Sequence, residues 1–303
     1  MVTRVSTYSN HLLTIDSLQK RQSSLSETQR SISSGVKYDT FAQVALIGET
    51  RRVSDFNSAL ERINTYDRNN KLMQTRLETM EKNLGALQDI NTEALKAMTT
   101  ERSGVQDVLP LSQQLKALLQ KVEDNLNSNA GGRYLFSGAQ TNVRPVNGLT
   151  VPNIDSSGDP NDNYYLGDGA NLAQAASDDV VIDYGVRAND PAFQKLIGAM
   201  HLAIRAESNG SDRDLATAID MANAAQVEMN GVRNKIADNL AVIETTNTDH
   251  SNFKSYFQQT VGGIVGTDVA EASIQLSMDQ AILTASFQSF ARVSGLSLTQ
   301  FLR

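Results

Sequence analysis

Apolar residues recur along two long stretches of this chain in alternating steps of three and four. The first stripe reads Ile63, Tyr66, Asn70, Met73, Leu77, Met80, Leu84, Leu87, Asn91, Ala94 and Met98. Nine of these eleven are apolar, where a chain that is 40% hydrophobic would give about four. The second reads Leu215, Ala218, Ala222, Ala225, Met229, Val232, Ile236, Asn239, Ile243, Thr246, His250, Phe253 and Phe257, with ten of thirteen apolar. Such a period predicts long helices with a coiled-coil-like seam. The first stripe alone spans 36 residues, or ~54 Å at ~1.5 Å per residue. Leu77, Leu84, Leu87, Met229, Ile236 and Ile243 are the seam residues expected to carry the rod.

Weaker helical patterns flank these stripes. His11, Ile15, Leu18, Gln22, Leu25, Gln29 and Ile32 form a polar-rich seam that Gly35 is placed to end. Residues 36–48 are ambiguous, with Gly48 a candidate break. A short helix carries Leu111, Leu115, Leu118 and Val122 on one face, with Pro110 at its first turn. Another runs from Phe193 to about Glu207, with Asp212 or Asp214 expected to cap the helix after it. Gly262-Gly263 and Gly266 predict a break before a last helix from about Asp268 to Val293. That helix shows Ala272, Leu276, Leu283, Phe287 and Phe290 on one face.

All five prolines lie between Pro110 and Pro191, so both ends are free to form unbroken helix. Four of them, with many Gly, Asn and Asp, fall in residues 139–191. Short β-prone runs appear there at Leu149–Val151, Tyr164–Leu166 and Val180–Val186. The expected fold is mainly α: an elongated antiparallel helical rod, a coiled-coil-like bundle of N- and C-terminal arms, with a small β-rich inserted domain. The expected domains are 1–45 with 262–303 as a terminal helical domain, 46–138 with 192–261 as the rod, and 139–191 as an exposed insert.

Composition narrows the function. The 303-residue chain has a net charge of −7 without strong runs of either sign, which argues against a nucleic-acid groove. It has no cysteine, so disulfides and Cys-ligated zinc are excluded. The start of the chain lacks the apolar run of a cleaved secretory signal, and no stretch reaches the ~20 apolar residues of a membrane span.

Candidate chemistry is sparse. His11, His201 and His250 lie far apart, without a ligand-spaced partner in sequence. Asp159-Pro160-Asn161-Asp162-Asn163 begins like a calcium loop, but Tyr164 stands where glycine is needed and Ala170 where glutamate is needed. Gly262-Gly263-Ile264-Val265-Gly266 lacks the strand and the lysine of a phosphate loop, and reads as a hinge. No enzyme activity, cofactor or metal is expected.

Three stretches carry a family resemblance. The C-terminal run is Gly266-Thr267-Asp268-Val269-Ala270-Glu271-Ala272, then Gln275-Leu276, Leu283, Ala285-Ser286, Phe290, Gly295-Leu296-Ser297-Leu298 and Phe301-Leu302. Arg4-Val5-Ser6-Thr7 opens the chain, and Arg133-Tyr134-Leu135-Phe136-Ser137-Gly138 precedes the insert. Together they resemble the flagellar hook-associated protein 3 family, the hook–filament junction proteins of the flagellin superfamily. Ser31-Ile32-Ser33-Ser34-Gly35 is shared with flagellins generally. The chain departs from the family after Gly35, where Val36-Lys37-Tyr38-Asp39-Thr40-Phe41-Ala42 replaces a Pro/Asp-rich loop.

The resemblance implies a structural subunit of the bacterial flagellum, extracellular, in the layer joining hook to filament. It implies self-assembly through terminal helices that order on assembly, and export through the flagellar type III apparatus without a cleaved signal peptide. The implied partners are further copies of the chain, hook-associated protein 1 on the hook side, flagellin on the filament side and an export chaperone. No nucleic acid or membrane is implied. The expected contact residues in the terminal helices are Ile15, Leu18, Leu25, Ile32, Leu276, Leu283, Phe287, Phe290, Leu296, Leu298, Phe301 and Leu302. Flagellin, whose ending resembles Leu302-Arg303, remains the alternative, and a non-flagellar coiled-coil scaffold is a further one.

Overall fold

Helix dominates the two proline-free arms before Pro110 and after Pro191. The computed structural model describes residues 2–104, 109–149 and 151–301, with side chains over 12–104, 109–149 and 151–292. Its helices are α1 (Val2–Ser34), α2 (Phe41–Leu46), α3 (Thr50–Arg102), α4 (Leu111–Leu126), α5 (Pro191–Asn209), α6 (Asp212–Val265) and α7 (Val269–Phe301). Four short strands, β1 (Asn129–Ala130), β2 (Arg133–Tyr134), β3 (Ala173–Ala175) and β4 (Val181–Asp183), form two separate antiparallel hairpins. The chain is mainly α, as the periodicity predicts. It divides into two units, residues 62–251 and residues 1–61 with 252–303.

In the larger unit, α3 and α6 pack antiparallel along the two predicted stripes. Every seam residue from Asn70 to Met98 is buried, and so are Leu215, Ala218, Ala222, Ala225, Met229, Ile236, Ile243, Thr246 and His250. Each fully buried Leu, Ile or Met contributes about 1.5–3 kcal/mol. Polar cross-links mark the register. Asp67 meets His250, Asn70 meets Asn247, Glu81 meets Arg233, Gln88 meets Asn230 and Asn91 meets Gln226. Moving 24 residues up α3, from Asp67 to Asn91, moves 24 residues down α6, from His250 to Gln226. A buried Asn that must find a polar partner tolerates no slip, so these pairs hold the seam in one alignment.

Two helices cannot bury all of each other's apolar surface. Helices α4 and α5 cover one stretch of the pair, with Leu111, Leu115, Leu119, Phe193, Leu196 and Met200 in the shared core. The bare N-terminus of α4, where Pro110 offers no cap, is satisfied by Glu207 of α5. Its carboxylate accepts from the Leu111 and Ser112 amides at 2.9 and 2.8 Å. Asp190 caps α5 through the Ala192 amide, and Pro191 begins that helix. Neither Asp212 nor Asp214 caps α6; the Ser211 hydroxyl does, accepting from the Asp214 amide. Asp212 and Asp214 lie inside the first turn, where they complement the helix dipole.

The segment between α4 and α5 covers the rest of the pair. Val146, Leu149, Tyr164, Ile182, Tyr184 and Val186 are buried in the same core as α3 and α6. Asn70 donates to the Ala176 carbonyl, Tyr66 to Asp178, Arg76 to the Tyr184 hydroxyl and Asn239 to the Asp183 carbonyl. Of the three β-prone runs, only part of the last, Val181–Asp183, forms a strand. Tyr165 makes a single bridge with Val146. At the second run the Tyr164 carbonyl and the Leu166 amide bond to the Asn147 amide and the Pro145 carbonyl, and near the first, side chains of the α4 end compete for backbone groups. Asn127 bonds both the amide and the carbonyl of Val146 at 3.0 Å, and Glu123 accepts from the Leu149 amide at 3.1 Å and from Arg144 at 3.0 Å. Those groups are then lost to a ladder.

In the smaller unit, α1 and α7 are antiparallel neighbours. Gly35, at φ 71°, ends α1 as predicted. Its carbonyl accepts from the Thr267 amide at 3.0 Å, and the Lys37 amide donates to Val265 at 2.7 Å. The ambiguous 36–48 segment contains α2, capped by the Thr40 hydroxyl. Gly48, at φ 74°, supplies the turn into α3. The predicted break at Gly262-Gly263 is not there: α6 runs on to Val265. Each glycine costs the helix about 1 kcal/mol, too little to end it without a competing cap. The stop comes at Gly266, after which Asp268 starts α7 by accepting from the Ala270 and Glu271 amides.

Two measurements test this architecture. A Cβ at Gly266 would collide with the Gly262 carbonyl, so Gly266→Ala should speed hydrogen exchange at the Lys37 and Thr267 amides. A factor of roughly ten corresponds to about 1.4 kcal/mol of local opening. Exchange in residues 62–251 should not change. The second concerns His201, only 4% exposed, bonded to the Leu149 backbone and 3.4 Å from Asn153. Burial lowers its pKa from 6.5 to about 4. Above pH 6.5 it is neutral whether folded or not and contributes no pH dependence. Between pH 6.5 and 4 only the unfolded chain takes the proton, so stability falls, by about 3 kcal/mol in all. Urea midpoints of the wild type should therefore drop more steeply over that window than those of His201→Gln.

Candidate assembly surface

Helices α1 and α7 bring together most of the terminal residues singled out in the sequence, yet they make almost no core. Among the described residues of the smaller unit, only Val44 and Val53 are buried apolar side chains, and neither is on α1 or α7. Leu18, Leu25, Ile32, Leu276, Leu283 and Phe290 are half-buried, while Ile15 and Phe287 are 42% and 52% exposed. Leu296, Leu298, Phe301 and Leu302 have side chains outside the described residues.

The seam of α1 differs from the predicted one. Gln22 and Gln29 point to solvent, and the half-buried positions are Thr14, Leu18, Ser24, Leu25, Thr28, Ser31 and Ile32. Small hydroxyl residues, not glutamines, face α7. Thr28 bonds to the Ser24 carbonyl of its own helix at 3.0 Å, while the Ser24 hydroxyl reaches across to α7.

Fully enclosed between the two helices is a carboxylate. Asp279 is 0% exposed and is contacted by Gln275 at 3.2 Å, Ser24 at 3.3 Å and Arg21 at 3.5 Å. It is the one buried polar side chain among the described residues of this unit. Beside it opens a cleft of about 320 Å³, lined by Ser24, Thr28, Arg30, Tyr38, Asp268 and Gln275 among others. Near the starts of α3 and the end of α6, Phe56 stacks on Phe257 with centroids 5.2 Å apart, and Phe253 and Tyr256 extend the group while remaining more than half exposed.

A second apolar face of α7 escaped the sequence reading. Ala270, Ile274, Met278, Ala281 and Ala285 are all exposed, Ile274 at 69% and Met278 at 58%. At ~100° per residue they lie roughly half a turn from the face that meets α1. The signal was present as the near absence of charge on α7 after Glu271, apart from Asp279 and Arg292. A search for one stripe per helix passes over a helix that has two.

The rod seam residues Leu77, Leu84, Leu87, Met229, Ile236 and Ile243 are all in the core of the larger unit. His250, with no partner near it in sequence, lies 2.7 Å from Asp67 and stacks on Tyr66. Among the described residues no group of His, Asp or Glu is arranged to hold a metal ion, and no helix is long and apolar enough to cross a membrane.

Solved structures with a similar chain path include those of FlgL from Bacillus cereus (14% identity, 67% of this chain and 98% of that one, TM-score 0.44) and a flagellar hook-associated protein from Vibrio parahaemolyticus (17%, 71% and 97%, TM-score 0.43). Another is flagellar hook-associated protein 3 from Legionella pneumophila (12%, 72% and 98%, TM-score 0.42). Likeness at these values is too slight to say what this chain does. No curated protein matches it. Residues 5–141 match the bacterial flagellin N-terminal helical region. That span takes in most of α1, all of α2, α3 and α4, and the first hairpin, and in it the chain is similar to the N-terminal helical region of bacterial flagellins.

Proposed function

We propose that this protein is a structural subunit of the bacterial flagellum that assembles through α1 and α7 into the layer joining hook to filament. The observation that carries the reading is the two-faced α7. One apolar face meets α1 in a pair that, among the described residues, buries a carboxylate and no complete apolar side chain. The other presents Ile274 and Met278, 69% and 58% exposed, to solvent. An isolated pair of this kind is marginal, because ordering its side chains costs what little it buries. Stacked copies would cover both faces. A contact that joins one surface patch to a different one builds an open helical array instead of a closed dimer.

In this reading residues 1–45 and 262–303 form the assembly domain, 46–138 and 192–261 a self-sufficient helical support, and 139–191 a segment outside the assembly contacts. Ile15, Phe287 and the tail from Leu296 to Leu302 join Ile274 and Met278 as contacts between copies. Hook-associated protein 1 and flagellin are the neighbours on either side, with export assisted by a chaperone. The junction, and not the filament, is favoured by the Gly295-Leu296-Ser297-Leu298 ending and the Tyr134-Leu135-Phe136-Ser137-Gly138 motif.

Electron microscopy of cells lacking the protein tests the position. Hooks without filaments, with filament protein shed into the medium, are expected. Intact junction layers with missing filament would make the chain a flagellin. The surface is tested by Ile274→Asp. Loss of about 2 kcal/mol of burial per contact should weaken assembly by roughly thirtyfold, while circular dichroism and melting of the chain stay unchanged. Normal motility in that variant would remove the outer α7 face from the assembly.

A further inference from the structure

The inner face of α7 would be an ordinary apolar seam but for Asp279. The residues around it on that face are Ala272, Leu276, Leu283, Ser286 and Phe290, all half-buried and uncharged. A carboxylate taken out of water in such a place needs donors, and here two of the three come from the opposite helix: Arg21 at 3.5 Å and the Ser24 hydroxyl at 3.3 Å. The third, Gln275, is one turn away on α7 itself and comes along whatever α7 packs against.

The sequence of α1 makes those donors specific to one alignment. Sliding α1 by one heptad would bring Ser17 or Ser31 to the place of Ser24, so a hydroxyl is available in every register. The place of Arg21 would be taken by Thr14 or Thr28, and the cation would be lost. The hydroxyl-rich seam therefore does not distinguish the registers by shape or apolarity; along the helices Arg21 does, beyond the Gly35–Thr267 and Lys37–Val265 backbone bonds at their end. Because Arg21 remains about half exposed, it meets the carboxylate without being stripped of water itself.

We propose that Asp279, read by Arg21 and Ser24, is the residue that sets the register of α1 on α7 and restricts that face of α7 to this one helix. The second face, with Ile274 and Met278, carries no such mark and takes its partner by apolar area alone. The role concerns pairing within one chain and does not depend on the flagellar reading.

The chain has no cysteine of its own, so introduced pairs report cleanly. Ser31→Cys with Ala272→Cys lies one heptad from Ser24 and Asp279 along both helices and reports the native register. Thr14→Cys with Ile282→Cys closes only after a slip of seven residues, about 10 Å, beyond the ~7 Å reach of a disulfide. Oxidation of the full-length chain should close the first pair and leave the second open. Adding Asp279→Leu should raise closure of the slipped pair at least about tenfold, since the face is then apolar throughout. Adding Asp279→Arg should abolish closure of the native pair, and combining it with Arg21→Asp should restore it. Melting of residues 62–251 should be the same in all variants, which separates loss of register from loss of folding. The proposal is overturned if the native pair fails to close in the otherwise unaltered chain, if Asp279→Leu leaves the slipped pair open, or if the charge exchange gives no rescue.

Discussion

A pair of packed helices buries each partner on one side only, and the seam between α3 and α6 in the larger unit is longer than any single neighbour can cover. The rest of that unit follows from this shortage. Helices α4 and α5 close one stretch of the seam. The loop-rich segment between them closes another, with Leu149, Tyr164, Ile182 and Tyr184 set into the same core as Met73, Leu77 and Met80. Part of the segment's backbone, at Val146 and Leu149, is held by the Asn127 and Glu123 side chains at the end of α4 and not by neighbouring strands. Polar residues inside the seam, Asn70 and Asn91 among them, give up some stability and in return permit one alignment.

The smaller unit obeys a different balance. Its helix pair has the length to form a seam but not the apolar content, and its most enclosed group is the Asp279 carboxylate. Hydroxyl side chains on α1 offer α7 a smooth surface with little free energy in it. A surface of this kind favours partners that come and go until something else covers the outside. An apolar second face on α7 supplies a reason for covering it. In the proposed reading the larger unit rests on its own core, and the smaller gains stability on assembly.

Helix positions were legible because period and proline placement act locally. The seam from Asn70 to Met98 and the stop at Gly35 follow from side-chain spacing and from glycine's freedom at positive φ. What misled was local evidence for events with distant causes. Gly262-Gly263 looks like a break, but no cap competes with the helix there. The β-prone run at Leu149 looks like a strand, but its amide is claimed by Glu123, 26 positions earlier. Gln22 and Gln29 appear to face the partner in a heptad drawn one step out of phase, and only contact with α7 fixes the phase.

By itself the sequence determined that this is a mostly helical chain with two strong stripes, two weak ones and a proline-bearing middle. These are properties of neighbours within a few turns of one another. Tertiary structure alone decided that Asp67 would meet His250, that Glu207 would cap α4, that the middle segment would be part of the core, and that Asp279 would be sealed against Arg21 and Ser24. Those contacts join residues about 20 to 260 positions apart, and no periodicity within either partner encodes which residue of the other it will reach.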